Sequence, residues 1–265
     1  MPIIDPKNFI SSKARSIGAG SNVESGFYNW TLPTEIENPI TLSAGIPDAG
    51  SMPVQDLQNA LNSVLETFRN ESLRYGGVQG FLGLRTALAS KYTLAEDHEY
   101  NSEQFLIGNG SAGCIDLICD AFIEPEDIVL VEGPTFSGSN RTILGHQAEI
   151  IQIPLDDHGI QMDEIIRIVR KLQNQGKRIK MLYTVCDFQN PTGTVLSAAR
   201  RSELIDFCRS HQILILEDSA YSDIYFTSPP PPSLFSMARG YGVLRVGTFS
   251  KIIATGLRIG WIQGQ

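Results

Sequence analysis

The stretch "QFLIGNGSAGCIDLICDAFIEPEDIVLVEGPTF" (104–136) reads in three pieces. A short apolar run, "QFLIG" (104–108), ends in a turn of Asn, Gly and Ser, and from about 112 to 122 apolar residues recur at helical spacing. After Pro125 the run "DIVLVE" (127–132) is short and almost wholly apolar, the pattern of a strand covered on both faces. A strand, a helix and a second strand in this order make the unit from which parallel sheets are built.

The same alternation continues outward. Toward the C-terminus come a helix at about 136–145, "AEIIQIP" (148–154), a helix at 162–174, "IKMLYT" (179–184), a helix at 197–210, "ILILED" (213–218) and "VLRVGT" (243–248). Toward the N-terminus a helix is expected at about 79–92. Before it Val54, Leu57, Leu61, Val64, Leu65 and Phe68 mark another, started by Ser51 and Pro53. The expected fold class is therefore α/β, a three-layer arrangement of a mostly parallel sheet flanked by helices on both faces. Residues 1–45, rich in Gly, Ser, Asn and Pro, read as an arm, and 46–265 as one domain. The run "SPPPPS" (228–233) reads as a stiff surface connection.

Composition narrows the function classes. Twenty-nine acidic against 21 basic residues give a net charge of -8, which weighs against nucleic acid as a partner. No stretch approaches the length of a membrane span and the start has no signal-peptide core, so a cytoplasmic protein without membrane association is expected. Cys114, Cys119, Cys186 and Cys208 form no Cys-x-x-Cys pair, which leaves partly buried reduced thiols rather than a zinc or disulfide framework.

In open sheets ligands bind beyond the carboxyl ends of the strands. What stands there is "NGSAG" after 108, "GPTF" after 132, "VCDFQNPTG" after 184, "EDSAY" at 217–221 and "FSK" after 248. Each piece has two readings. Gly110, Ser111 and Ala112 form an ordinary turn or present backbone N–H groups to a phosphate at a helix start. Phe136 is core or a ring stacked on a planar ligand. Asp218 ends a very apolar strand, where a carboxylate needs a cation, either a salt-bridge partner or a charged ligand nitrogen. Asn190 sits in a turn with a side-chain donor to spare. Arg258 suits a phosphate, and Lys251 is either a surface lysine or a nucleophile. A flat, phosphorylated heterocycle with a basic nitrogen and an aldehyde satisfies the whole set, and pyridoxal 5'-phosphate is such a molecule.

The ordered set "GNGSAG", "EGPTF", "DFQNPTG", "EDSAY" and "TFSKIIATGLRIGW" resembles fold-type I pyridoxal-phosphate enzymes of the class I/II aminotransferase family, in the branch of aromatic-amino-acid, 2-aminoadipate and kynurenine aminotransferases. The resemblance covers about 43–261. It implies a large cofactor-binding domain, an amino acid and a 2-oxo acid as substrates, and a homodimer. By motif it implies that Lys251 forms the Schiff base with the cofactor and shuttles a proton, and that Asp218 pairs with the pyridinium nitrogen. Asn190 and Tyr221 would hold the ring oxygen, and Phe136 would stack on the ring. Gly110, Ser111, Ala112, Ser250 and Arg258 would hold the phosphate. Tyr75 in "LRYGGVQG" would reach the phosphate of a neighbouring subunit, and Gly45 in "SAGIPD", with Asn190, would border the substrate.

Two departures stand out: Ala112 replaces a frequent Gln, and Cys186 stands where a Pro is common, which predicts a looser turn. Family members also continue beyond the "GLRIGW" strand into a small domain carrying the arginine for the substrate carboxylate. The chain therefore reads as lacking that domain. The alternatives are a shortened, catalytically impaired cofactor-binding remnant or regulatory core, or another carbanion enzyme such as a lyase or decarboxylase.

Overall fold

The computed structural model describes residues 5–11, 14 and 45–265. Nearly all of the arm expected over 1–45 lies outside the described residues. Eight strands form one sheet: β1 (Phe105–Gly108), β2 (Ile128–Gly133), β3 (Glu149–Asp156), β4 (Gly159–Ile160), β5 (Ile179–Thr184), β6 (Leu214–Asp218), β7 (Val243–Thr248) and β8 (Gly260–Gln263). Their spatial order is β1-β8-β7-β6-β5-β2-β3-β4. From β3 through β2, β5 and β6 to β7 every neighbour is parallel. β8 runs antiparallel to both β7 and β1, and β4 is antiparallel to β3. Because β8 is antiparallel to both its neighbours, β1 points the same way as β7, and its C-terminal end joins the same rim.

The helices are α1 (Val54–Phe68), α2 (Leu82–Glu96), α3 (Gly110–Phe122), α4 (Ser137–Gly145), α5 (Met162–Asn174), α6 (Ala198–Ser210) and the short α7 (Leu234–Met237). Strand side chains alternate between two cores. Ile128 and Leu130 of β2 meet Ile165, Val169 and Leu172 of α5 and Leu204, Ile205 and Cys208 of α6. Val129 and Val131 meet Cys114, Ile115 and Ile118 of α3 and Ile143 of α4 on the other face. That is why "DIVLVE" is apolar throughout. Each aliphatic side chain so removed from water contributes about 1.5–3 kcal/mol. In β5 the alternation breaks, with Ile179 in the first core and Met181 in the second, because the register against β2 shifts at Ile128/Val129.

Two boundaries differ from the sequence expectation. The helix expected at about 79–92 lies at 82–96, since the carbonyl of Gln79 accepts a bond from Ile107 N and holds its segment beside β1. α3 starts at Gly110 rather than near 112, which puts the glycine and Ser111 inside its first turn. Among the described residues no helix is long and apolar enough to cross a membrane, and all four cysteines are free and buried.

Candidate active site

The C-terminal ends of five strands converge on one rim. At the end of β1, Asn109 leads into α3 without a side-chain cap, so the first-turn N–H groups of Ser111 and Ala112 are left to other acceptors. Two glycines let a basic group and a strand close on that turn. A Cβ on Gly110, whose φ is +71°, would stand 2.8 Å from Arg258 Nη2, and one on Gly260 would stand 2.7 Å from Ser111 N. Arg258 Nη1 also donates toward Ser250 Oγ at 3.5 Å and Thr255 O at 3.3 Å. The hydroxyl of Ser250 is itself fixed by Thr248 Oγ1 at 2.9 Å. Helix dipole, free N–H groups, a hydroxyl and a guanidinium thus share one cup with the chemistry of an anion site.

Next to the cup a cavity of about 310 Å³ is lined by Ser111, Ala112, Phe136, Ser139, Arg141 and Asp218, among others. A larger hollow of about 510 Å³ lies along α5, is built from that helix and the adjoining Gln175, and contains none of the strand-end residues. Asp218 is 5% exposed. It accepts from Tyr183 Oη at 2.8 Å and Ala220 N at 3.1 Å, and Tyr183 in turn accepts from Ser139 Oγ at 2.8 Å. Burial pushes the carboxyl up to about 6, and these bonds only partly oppose the shift. Of the two sequence readings, salt bridge or ligand nitrogen, the first is missing among the described residues: every protein partner named for Asp218 is a neutral donor.

Tyr221 stands three residues beyond Asp218, and its hydroxyl accepts from Asn190 Nδ2 at 3.1 Å. Lys251, partly buried, donates from Nζ to the carbonyl of Gly45 at 2.8 Å and lies 6.0 Å from the centre of the Tyr221 ring. Burial lowers its pKa, and the nearby Arg258 charge lowers it further. The structure therefore brings Gly110, Ser111, Ala112, Ser250 and Arg258 together as a cup, with Phe136 and Asp218 in the cavity beside it. Asn190 pairs with Tyr221, and Lys251 with Gly45. Tyr75 alone stands apart, fully exposed on the segment before α2.

Several residues that tie this rim were missed in the sequence. Arg201, 0% exposed, donates to the carbonyls of Cys186, Leu196, Pro231 and Pro232 and to Asp187 Oδ1, and Asp187 Oδ2 accepts from Ser222 Oγ. The Asn190 loop and the Tyr221 loop are joined this way. The looser turn expected at Cys186 is not found, because its carbonyl accepts from Leu196 N at 2.8 Å as well as from Arg201. The proline carbonyls give "SPPPPS" a part in this bridge. Glu132 offered a usable signal, an acid closing an apolar strand as Asp218 does. Tyr183 and Arg201 offered none, since the carboxylates they meet lie 35 and 14 residues away in sequence.

An open α/β sheet with a lysine, a buried carboxylate and an anion cup at its strand ends defines a class of cofactor-dependent enzymes. The chain belongs to a particular family of that class: residues 37–265 match the family described as aminotransferase class I and II. Aromatic-amino-acid aminotransferase 1 of Thermococcus litoralis is 32% identical over 264 residues, covering all of this chain and 62% of its own length. The crystal structure of a multiple substrate aminotransferase from Thermococcus profundus superposes with a TM-score of 0.85 at 32% identity, over 99% of this chain and 64% of that one. A kynurenine aminotransferase of Pyrococcus horikoshii, solved in complex with PMP, gives 0.84 at 29% identity, over 98% and 63%. The chain thus spans just over three fifths of the length of these relatives.

Proposed function

We propose that the protein is a pyridoxal 5'-phosphate-dependent aminotransferase that moves an amino group between an amino acid and a 2-oxo acid. The observation that carries the reading is one sheet rim that bears a lysine amine beside Tyr221, an anion cup, and a cavity holding a buried carboxylate that has no cationic partner among the described residues. When bound, pyridoxal 5'-phosphate supplies an electrophilic aldehyde and a cationic ring that takes up the electron pair left on a substrate carbon.

The chain's own residues do the rest. Lys251 Nζ would hold the cofactor through its aldehyde; burial and Arg258 favour its neutral, reactive form. The same amine would serve as the base that takes up the proton of the substrate α-carbon and holds it for return. Asp218 would pair with the ring nitrogen, whose positive charge would offset the burial that pushes its carboxyl up to about 6. Asn190 and Tyr221 would hold the ring oxygen, and Phe136 would cover the ring and exclude water. Ser111, Ala112, Ser250 and Arg258 would hold the phosphate. Gly45, whose carbonyl already meets Lys251, borders the substrate together with Asn190.

A second copy of the chain belongs to the same proposal, with Tyr75 reaching the partner's cup. It is supported by the full exposure of Tyr75 and by the apolar stripe of α1, which is left exposed among the described residues. Residues 46–265 form the cofactor-binding domain and 1–45 an arm, and the four free buried thiols fit a cytoplasmic protein. Aromatic amino acids are the first donors to try, on the names of the relatives.

The test is borohydride reduction after incubation with pyridoxal 5'-phosphate. The expected result is one cofactor mass on Lys251, none in Lys251→Ala, and 2-oxo acid formed from an added amino acid. No label on Lys251 overturns the reading. A label without amino exchange reduces the protein to a cofactor-binding core.

A further inference from the structure

Gln189 lies between two strand-end loops, one carrying Phe136 and the other Asn190. Its side-chain amide is saturated. Nε2 donates to Glu132 Oε2 at 3.0 Å and to Pro134 O at 2.8 Å, while Oε1 accepts from Thr192 N at 2.9 Å and from Thr192 Oγ1 at 2.7 Å. Two donated and two accepted bonds are the full capacity of a primary amide. Glu132, 2% exposed at the end of β2, also accepts from Thr184 Oγ1 at 2.6 Å and Val185 N at 3.1 Å on the end of β5. One buried carboxylate and one buried amide therefore span from the segment two residues before Phe136 to the residue directly before Asn190.

If this junction only held the fold together, an apolar pair of the same volume would serve as well, because a buried charge held by neutral donors is costly. What an apolar pair lacks is direction. Bonds to Pro134 O, Val185 N and Thr192 N fix the orientation of both loop backbones, and so the places from which Phe136 and Asn190 project.

We propose that Glu132 and Gln189 are positioning residues, which hold Phe136 and the Asn190–Tyr221 pair at the separation a planar ring requires, so that the ring enters a slot already shaped. The proposal rests on the cofactor reading above. It concerns the ring alone, since the anion cup is built from α3, Ser250 and Arg258 and receives no bond from either residue.

The experiment compares Gln189→Leu with the wild-type protein in three measurements: pyridoxal 5'-phosphate affinity, inorganic phosphate affinity, and the pH midpoint of the visible absorption of the lysine-bound cofactor. Removing the amide leaves buried groups unpaired, so the expected loss in cofactor affinity is about tenfold or more. The absorption midpoint moves with it, because Asn190 and Tyr221 no longer meet the ring oxygen squarely, and phosphate affinity stays within about twofold, a change below ~0.5 kcal/mol.

Wild-type affinity with an unmoved midpoint in Gln189→Leu overturns the proposal. An equal loss for inorganic phosphate overturns it too, since that pattern marks general damage. Should Gln189→Leu fail to fold, Thr192→Val, which removes the hydroxyl bonds to Gln189 Oε1 and to Thr194 and leaves the bond from Thr192 N, is read instead, with a smaller shift of the midpoint expected and none being fatal. A wild-type protein that takes up no pyridoxal 5'-phosphate defeats the parent reading, whereas a wild-type protein that binds it beside an unaltered variant defeats the positioning role alone.

Discussion

Helices α1 and α5 carry the same kind of apolar stripe and meet opposite fates. In α5, Met162, Ile165, Val169 and Leu172 are buried against β2, β5 and their neighbours. In α1, Val54, Leu61, Val64, Leu65 and Phe68 recur at equivalent spacing, and no residue of the helix is buried. A stripe at helical period specifies which face of a helix seeks cover, and it says nothing of what supplies the cover. α5 finds its partner inside the sheet, whereas among the described residues nothing buries the apolar side of the fifteen-residue α1.

The comparison breaks most sharply by truncating one residue on each helix. Ile165→Ala removes a side chain that is 0% exposed, and a loss of about 2–5 kcal/mol in unfolding free energy is expected. Chemical denaturation measures it, and a loss no larger than that of a surface substitution would show the α5 core to be loose.

A smaller effect sharpens what burial does to charge at the sealed strand ends. Asp218, ordinarily near 3.8, is held at about 6 by burial, and Glu132, ordinarily near 4.5, at about 7. Both folded values lie above the unfolded ones, so the native state binds the extra protons. Stability from these groups is present at low pH and is lost as pH rises from about 4 to about 7. Asp218→Asn without cofactor should gain on the wild type across this window by on the order of 2–3 kcal/mol. A difference between the two proteins that stays constant from pH 4 to pH 7.5 would contradict the shift. Added pyridoxal 5'-phosphate should restore the wild type at the upper end.

The smallest effect lies on α1. Leu61→Ala, at a residue 58% exposed, should alter the stability of the dilute single chain by less than about 0.5 kcal/mol. Leu61→Asp should leave that stability alike while weakening self-association in sedimentation. If instead it unfolds the chain, the stripe is covered from within.

The strand-helix alternation, the parallel core of the sheet and the rim of unusual residues were legible from periodicity and turn chemistry. So were Lys251, Asp218 and the Ser111 turn, each within a few residues of a strand end. What was not legible was the set of bridges that gives those residues their properties. Tyr183 looks like one more aromatic in an apolar strand, and it determines a bond of Asp218 35 residues on. Arg201 looks like a helix-surface arginine beside Arg200. Yet Arg200 pairs with Asp156, partly open to solvent, while its neighbour is fully enclosed. Nothing in "AARRSEL" separates the two; the position of one helical face against the sheet does.

Sequence alone, then, determined the order of elements, the two-sided burial of the strands and the identity of the groups at their ends, because these follow from period, length and local turns. Only the tertiary structure decided that, among the described residues, Asp218 meets no cation and α1 buries none of its side chains, that Lys251 turns to Gly45 and that Gln189 joins two loops. Each of these depends on distances between segments far apart in the chain, and such distances are set by packing rather than by spacing along the backbone.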